Sequence, residues 1–333
     1  MIVRNAPARV GLLGNPSDGY GGRTLGLAVP RFEATVTLEP ADRLEIVAND
    51  DDEPRWDSVG DLVDRVDRQG YGTGPQLLAA TVRTFADVAE SVEHRGFERH
   101  AFRLSYRTSI PRQVGLGGSS ALVIATLQAL AELTGIDVPS TVLPSIALRV
   151  ETDQLDISAG LQDRVVQTYG GLVAMNFGDM TTNARFGVSH GEYRTVDPAN
   201  LPPLFLAYRE GAAEPSDGYH RLLRQRFNEG DGAIRETLRT MATLVVEGEA
   251  ALRWGDGDRF ADLMAENMRL RKLLGPIPAR QLELVEAAEG CGLAATFAGS
   301  GGAIVGAFGD DDQLETLRSR LAALDAVTLA LAP

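Results

Sequence analysis

Apolar and polar residues alternate along 102–110, with Phe102, Leu104, Tyr106 and Ile110 set against Arg103, Ser105 and Arg107. That period of two predicts a half-buried strand. The next apolar run, Ala121–Leu133, is almost unbroken, has the length of a helix, and stops at Gly135 as helices commonly do. Between them lies Pro111–Ala121, P-R-Q-V-G-L-G-G-S-S-A. Upstream, the pattern predicts strands over Ala6–Leu13, Leu25–Val29, Phe32–Leu38 and Leu44–Val47, a weak helix from Leu62, and a stronger helix over Gln76–Val92. Asn49–Asp52 reads as a solvated acidic turn. Downstream, a helix over Val142–Val150 ends near Glu151, and a strand covers Leu172–Phe177. Thr181–Pro203 is polar and irregular and marks a domain junction, giving domains 1–190 and 191–333. Beyond it come a strand at Leu204–Tyr208 and helices over Tyr219–Asn228, Ala233–Arg253, Asp258–Leu274 and Gln281–Ala288. Strands at Leu293–Ala298 and Ala303–Phe308, a helix over Asp311–Leu324 and a strand at Val327–Leu331 close the chain. Strand runs with antiparallel-looking alternation predict an α+β fold and not a doubly wound parallel sheet.

The loop between strand and helix is the first candidate for chemistry. Gly115, Gly117 and Gly118 lack Cβ atoms and let backbone N–H groups approach a ligand closely. A helix N-terminus adds unpaired donors and partial positive charge, which suits a phosphate. Ser119 and Ser120 offer hydroxyls to cap the helix, bind phosphate or reach a metal ion. The net charge of −14 argues against nucleic-acid partners and anionic membrane surfaces, so a site for an anionic substrate must gather its positive charge locally. Nearly all of that charge is arginine, since Lys272 is the one lysine, and a catalytic lysine is nearly excluded. A single cysteine, Cys291, rules out an internal disulfide. No signal peptide is evident at Met1–Arg9 and no apolar run is long enough to span a bilayer, so a cytoplasmic protein is expected. There is no G-x-x-x-x-G-K-[ST], no H-R-D with D-F-G, no Rossmann spacing of glycines and no H-E-x-x-H. The four histidines are scattered.

Three stretches carry a resemblance. Ala6-Pro7-Ala8-Arg9-Val10, Pro111–Ala121 and Ala298–Gly302 are similar, in order and spacing, to the three motifs of the GHMP kinases. Within that superfamily the chain resembles the glucuronokinase branch over essentially its full length. The residues that carry this are G-L-L-G-N-P-S-D at Gly11–Asp18, G-R-T at Gly22–Thr24, A-G-L-Q-D-R at Ala159–Arg164, Y-G-G-L-V at Tyr169–Val173 and G-S-G-G-A at Gly299–Ala303. The resemblance implies transfer of the γ-phosphate of ATP with Mg²⁺. It also implies an N-terminal α+β domain with a left-handed βαβ crossover, a ferredoxin-like C-terminal domain and a site between them. The nucleotide phosphates then fall on Pro111, Gly115, Leu116, Gly117, Gly118, Ser119 and Ser120, closed by Gly299, Ser300 and Gly301. By register Ser119 and Glu151 become the metal residues. Asp163 takes the place of the acidic residue that deprotonates or orients the attacking hydroxyl. Arg9 occupies the basic position that stabilises developing charge.

Sugar kinases of this superfamily hold hydroxyls with carboxylates from the first glycine loop, which makes Asp18 the candidate. A uronic acid adds a carboxylate, which an arginine binds in bidentate fashion. Arg23, Arg112, Arg164 and Arg226 are the candidates, with Gly301 and Gly302 beside the acceptor. The expected activity is an ATP-dependent sugar 1-kinase making glucuronate 1-phosphate, with a small-molecule sugar acid and ATP as its partners. The alternatives are another acceptor (galacturonate, a neutral hexose or a heptose phosphate) and a catalytically silent GHMP-fold binding protein.

Overall fold

Two antiparallel strands at the start of the chain, β1 (Ile2–Leu13) and β2 (Arg23–Pro40), carry the first sheet. In the computed structural model, which describes residues 1–47, 55–71, 76–211 and 217–331, they pair from Ile2 opposite Leu38 to Leu13 opposite Leu25. The two short strands expected at Leu25–Val29 and Phe32–Leu38 are one strand. A register shift between Pro7 and Ala8 absorbs Pro30, whose ring lacks the N–H a ladder needs. The expected acidic turn at Asn49–Asp52 lies outside the described residues.

Chain order then gives β3 (Leu44–Val47), β4 (Arg55–Trp56), α1 (Val59–Gln69), α2 (Gln76–Ser91) and β5 (Phe102–Thr108). Next come α3 (Gly118–Thr134), α4 (Leu143–Thr152), α5 (Gln162–Tyr169), β6 (Leu172–Asn183) and β7 (Val188–Val196). The second half of β2 pairs with β5 and the first half with β6, and β3 joins β5 in parallel through the α1–α2 crossover. Every other pairing in this sheet is antiparallel, as the alternation predicted. The polar stretch read as irregular, Thr181–Pro203, contains β7. Of the strand's nine residues only Val188 and Gly191 are buried, so no apolar alternation marks it, and the expected boundary at 190 falls inside it. The link to the second sheet runs through 197–203.

The second sheet begins at β8 (Leu204–Tyr208), followed by α6 (Asp217–Asn228), α7 (Gly232–Trp254), α8 (Gly257–Leu273) and α9 (Ala279–Glu289). It closes with β9 (Ala295–Phe297), β10 (Ala303–Ala307), α10 (Asp311–Ala322) and β11 (Val327–Leu331). Its order is β11-β8-β10-β9, antiparallel throughout, which is the ferredoxin-like arrangement with extra helices before β9. A core of Phe205, Leu284, Val285 and Leu317 seats α9 and α10 on this sheet. The larger core joins the first sheet to α2 and α3 and continues through Leu238, Met241 and Phe260 of α7 and α8. α3 is apolar nearly all round and therefore buried, which fixes its N-terminus in space. A third cluster, Val165, Val166, Val173, Met175 and Phe177, holds α5 on β6.

Candidate active site

Stretches nearly three hundred residues apart meet at β1. The Arg9 N–H donates to the Leu116 carbonyl at 3.1 Å, and the Gly11 N–H donates to the Ala298 carbonyl at 2.7 Å. The Arg9 side chain, 4% exposed, finishes the junction. Its Nε donates to Asp163 Oδ1 at 2.6 Å, its Nη2 meets Oδ2 at 2.6 Å, and its Nη1 donates to the carbonyls of Gly115 at 2.6 Å and Ala298 at 3.1 Å. Only a planar fork of donors serves a carboxylate and two carbonyls at once. Asp163 projects from the first turn of α5, where the helix N-terminus favours a carboxylate.

The glycine loop is built for close approach. Gly115 and Gly117 have φ of 74° and 77°, the left-handed region that glycine enters without strain. A Cβ on Gly115 would lie 2.5 Å from the Gly301 carbonyl oxygen, and one on Gly299 would lie 2.3 Å from that of Gly115. The Gln167 side chain donates to the Gly117 carbonyl at 2.7 Å and pins the loop from α5. The helix begins at Gly118, three residues before the apolar run that predicted it. Its N-cap is Gly117, so of the three roles open to Ser119 and Ser120 the capping one is not taken. Ser120 is buried and donates back to the Gly117 carbonyl at 3.0 Å, whereas Ser119 is exposed on the wall of a cleft.

That cleft, of about 630 Å³, is lined by Arg9, Asp18, Pro111, Arg112, Gly115, Leu116, Gly117, Gly118, Ser119, Glu151, Asp163, Arg164, Gly299 and Ser300 together. Its walls do not include Ser120, Arg23, Gly301, Gly302 or Arg226. Arg23 is exposed at the start of β2. Gly301 packs on Gln281 and Gly115, and Gly302 is buried and accepts the Arg209 N–H at 3.2 Å. Arg226 is tied to Asp231 at 2.7 Å.

Similarity to known proteins matches this construction. The GHMP kinases N terminal domain model matches residues 70–171, and the GHMP kinases C terminal model matches residues 249–326. Glucuronokinase 1 of Arabidopsis thaliana is 39% identical over 91% of this chain and 84% of its own. Probable glucuronokinase 2 of the same plant is 40% identical over 90% and 82%. The chain belongs to the GHMP kinase family. The fold agrees with solved members. Streptococcus pneumoniae phosphomevalonate kinase in complex with phosphomevalonate and AMPPNP superposes with a TM-score of 0.77 at 18% identity, over 99% of this chain and 100% of that one. Lactococcus lactis galactokinase complexed with galactose gives 0.74 at 15%, over 99% and 93%.

As a GHMP kinase the chain is an ATP-dependent phosphotransferase, and the cleft has the electrostatics for it. Asp18 sits on the 3₁₀ turn Ser17–Tyr20 and accepts the Gln162 N–H at 3.3 Å. Burial first, and then the neighbouring Asp163 charge, push its carboxyl up from 3.8 to about 6. Arg164, 2% exposed, is ion-paired with buried Glu151 and donates to the Gly160 carbonyl at 2.5 Å. Burial first, and then the nearby Arg9 charge, pull its guanidinium below its ordinary range, with the Asp18 carboxylate acting the other way. Ser119 and Glu151, the expected metal residues, both line the cleft, and Glu151 would reach a Mg²⁺ only by loosening its ion pair with Arg164. Among the described residues no three His, Cys, Asp or Glu are placed to hold a metal. An ion there would draw its remaining ligands from phosphates and water.

Sequence reasoning missed several cleft residues of this kinase. Asn15 donates to the Gly299 carbonyl at 3.1 Å and joins the first loop to the third motif. Tyr106, Ile110 and Leu122 form an apolar patch on the wall, and Arg224 reaches in from α6. The alternation of β5 placed Tyr106 and Ile110 on one face, but nothing in it marked that face as a cleft wall. Arg224 lies on a polar helix with no motif around it. Among the described residues, no helix is long and apolar enough to cross a membrane.

Proposed function

We propose that the protein phosphorylates the anomeric hydroxyl of D-glucuronate with ATP, giving glucuronate 1-phosphate and ADP. The observation that carries this reading is the likeness to two glucuronokinases at 39% and 40% identity across nine tenths of the chain. The placement of Arg9, Asp163 and the glycine loop around one cleft supports it. The nucleotide phosphates lie along Gly115–Ser119 at the N-terminus of α3, closed over by Gly299 and Ser300, with the apolar patch of Tyr106, Ile110 and Leu122 beside the base. Ser119, and Glu151 if released from Arg164, would hold a Mg²⁺ that would neutralise phosphate charge. Asp163 accepts the proton of the anomeric hydroxyl as its oxygen attacks the γ-phosphorus, and the bond to the β–γ bridging oxygen breaks. Arg9 fixes the Asp163 carboxylate in plane and stabilises charge on the transferred group. Asp18 accepts hydrogen bonds from sugar hydroxyls.

The test is ADP release with Mg·ATP across uronic acids, neutral hexoses and heptose phosphates. Turnover strongest with glucuronate is expected. Turnover confined to neutral or phosphorylated sugars would keep the kinase and discard this acceptor. ATP binding with no turnover on any acceptor would favour a silent binding protein.

Asp18 gives a second expectation. Its carboxyl titrates near 6 in the folded chain and near 3.8 when unfolded, so the fold is destabilised as pH rises from about 4 to about 6 and stays so above it. Removing the charge with Asp18→Asn is therefore expected to raise stability at pH 8 by about 2 kcal/mol, while the KM for sugar rises. In the unsubstituted protein the sugar KM should climb as pH falls below about 6. Urea unfolding and a pH series of initial rates measure both. A variant no more stable than its parent, with an unchanged sugar KM, would remove Asp18 from the acceptor site.

A further inference from the structure

An acidic acceptor entering this cleft meets Asp18 and Asp163 and needs a cation that is not already engaged. The arginines suggested by sequence fall away one at a time. Arg9 is held by Asp163, Arg164 is buried against Glu151, and Arg226 is tied to Asp231. Arg23 is outside the cleft, and Arg112, also exposed on its wall, stands on the loop proposed above to receive the phosphates. Arg224 remains. It lines the cleft, is exposed, and has no carboxylate partner among the described residues. Its guanidinium carbon lies 4.4 Å from the centroid of the Tyr20 ring, and Phe227, one helical turn further along α6, packs on the same ring with centroids 4.8 Å apart. Nη2 of Arg224 comes within 3.2 Å of where a Cβ on Gly19 would sit, beside Asp18. A guanidinium stacked on an aromatic face is fixed in plane while its N–H edge stays open, the geometry that takes a carboxylate in two parallel hydrogen bonds.

We infer that Arg224, stacked on Tyr20, is the residue that binds the carboxylate of the acidic sugar and so sets the preference for uronic acids. The assignment rests on the acceptor proposed above. It makes α6 of the C-terminal half, and not only the first glycine loop, part of the acceptor site. It also explains how a strongly acidic chain receives an anionic sugar next to two carboxylates: the compensating charge comes from an arginine with no carboxylate partner among the described residues.

The experiment compares the unsubstituted kinase, Arg224→Gln and Arg224→Lys for glucuronate and glucose, with melting temperature and ATP KM as checks on the fold. Arg224→Gln is expected to raise the glucuronate KM on the order of 10- to 100-fold and to leave kcat near its original value, the pattern of lost uniform binding. Its ATP KM and melting temperature should not move, its rate on glucose should not fall, and Arg224→Lys should recover part of the loss. If the unsubstituted enzyme turns over glucuronate and Arg224→Gln stays within roughly threefold of it, the assignment is overturned while the acceptor stands. An equal rise in the ATP KM overturns it too, since the effect would then lie in the cleft at large. If the unsubstituted enzyme uses only neutral sugars, the acceptor reading fails and takes this assignment with it.

Discussion

Asp163→Asn is expected to lower kcat by about 10²- to 10⁴-fold, the usual contribution of a positioned general base. The amide keeps the shape of the carboxylate and an oxygen that can accept from Arg9 Nε, so the first turn of α5 and the cleft should persist. It cannot take the proton of the attacking hydroxyl. ATP and sugar affinities should change little, because the loss falls on the transition state and not on ground-state binding. Saturating-substrate rates of ADP release, with nucleotide binding measured separately, decide the matter. A variant retaining more than about a tenth of the parent kcat would take Asp163 out of the chemistry.

Arg9→Met should do damage of a different kind. The side chain is almost wholly buried and its donors serve Asp163, Gly115 and Ala298. Removing them leaves two carbonyls without that donor and a carboxylate without its counter-charge. The expected loss of stability is about 2–4 kcal/mol, toward the lower part of the range for broken buried pairs because Asp163 is partly solvated. Activity should fall at least 10²-fold, as for loss of a group aimed at developing charge. Arg9→Lys separates the two effects: the charge survives, the fork does not. It should recover much of the stability and little of the rate. Urea unfolding with an unchanged slope, read beside kcat, tests this. A lysine variant as active as its parent would show that the bidentate geometry is dispensable.

Much of this site was legible in the sequence because its parts are backbone requirements. Gly115, Gly117 and Gly299 stand where positive φ or a close backbone approach excludes a side chain, and such positions leave a local signature. β5 and the second half of β2 declared themselves by period, and α3 by its unbroken apolar run. What stayed hidden was set by tertiary contact. β7 buries only Val188 and Gly191 and reads as polar. Ser119 and Ser120 are adjacent and chemically alike, and only the turn of α3 sends one to the cleft and the other back to Gly117. Arg164 and Arg226 were plausible ligands until Glu151 and Asp231 appeared beside them. Arg224 had no motif at all, since its environment comes from Tyr20, some two hundred positions earlier.

The contacts of Arg9 also bear on how the chain is made. Its side chain reaches carbonyls 106 and 289 residues further on, at Gly115 and Ala298. During synthesis the first strand leaves the ribosome long before its last partner exists, and pairings of such separation form late because a large loop must close first. The early half can settle its own sheet, but the reaction centre cannot be assembled until A-G-S-G-G at Ala298–Gly302 has emerged. Until then a nascent chain lacks the Ala298 carbonyl on which Arg9 closes the cleft.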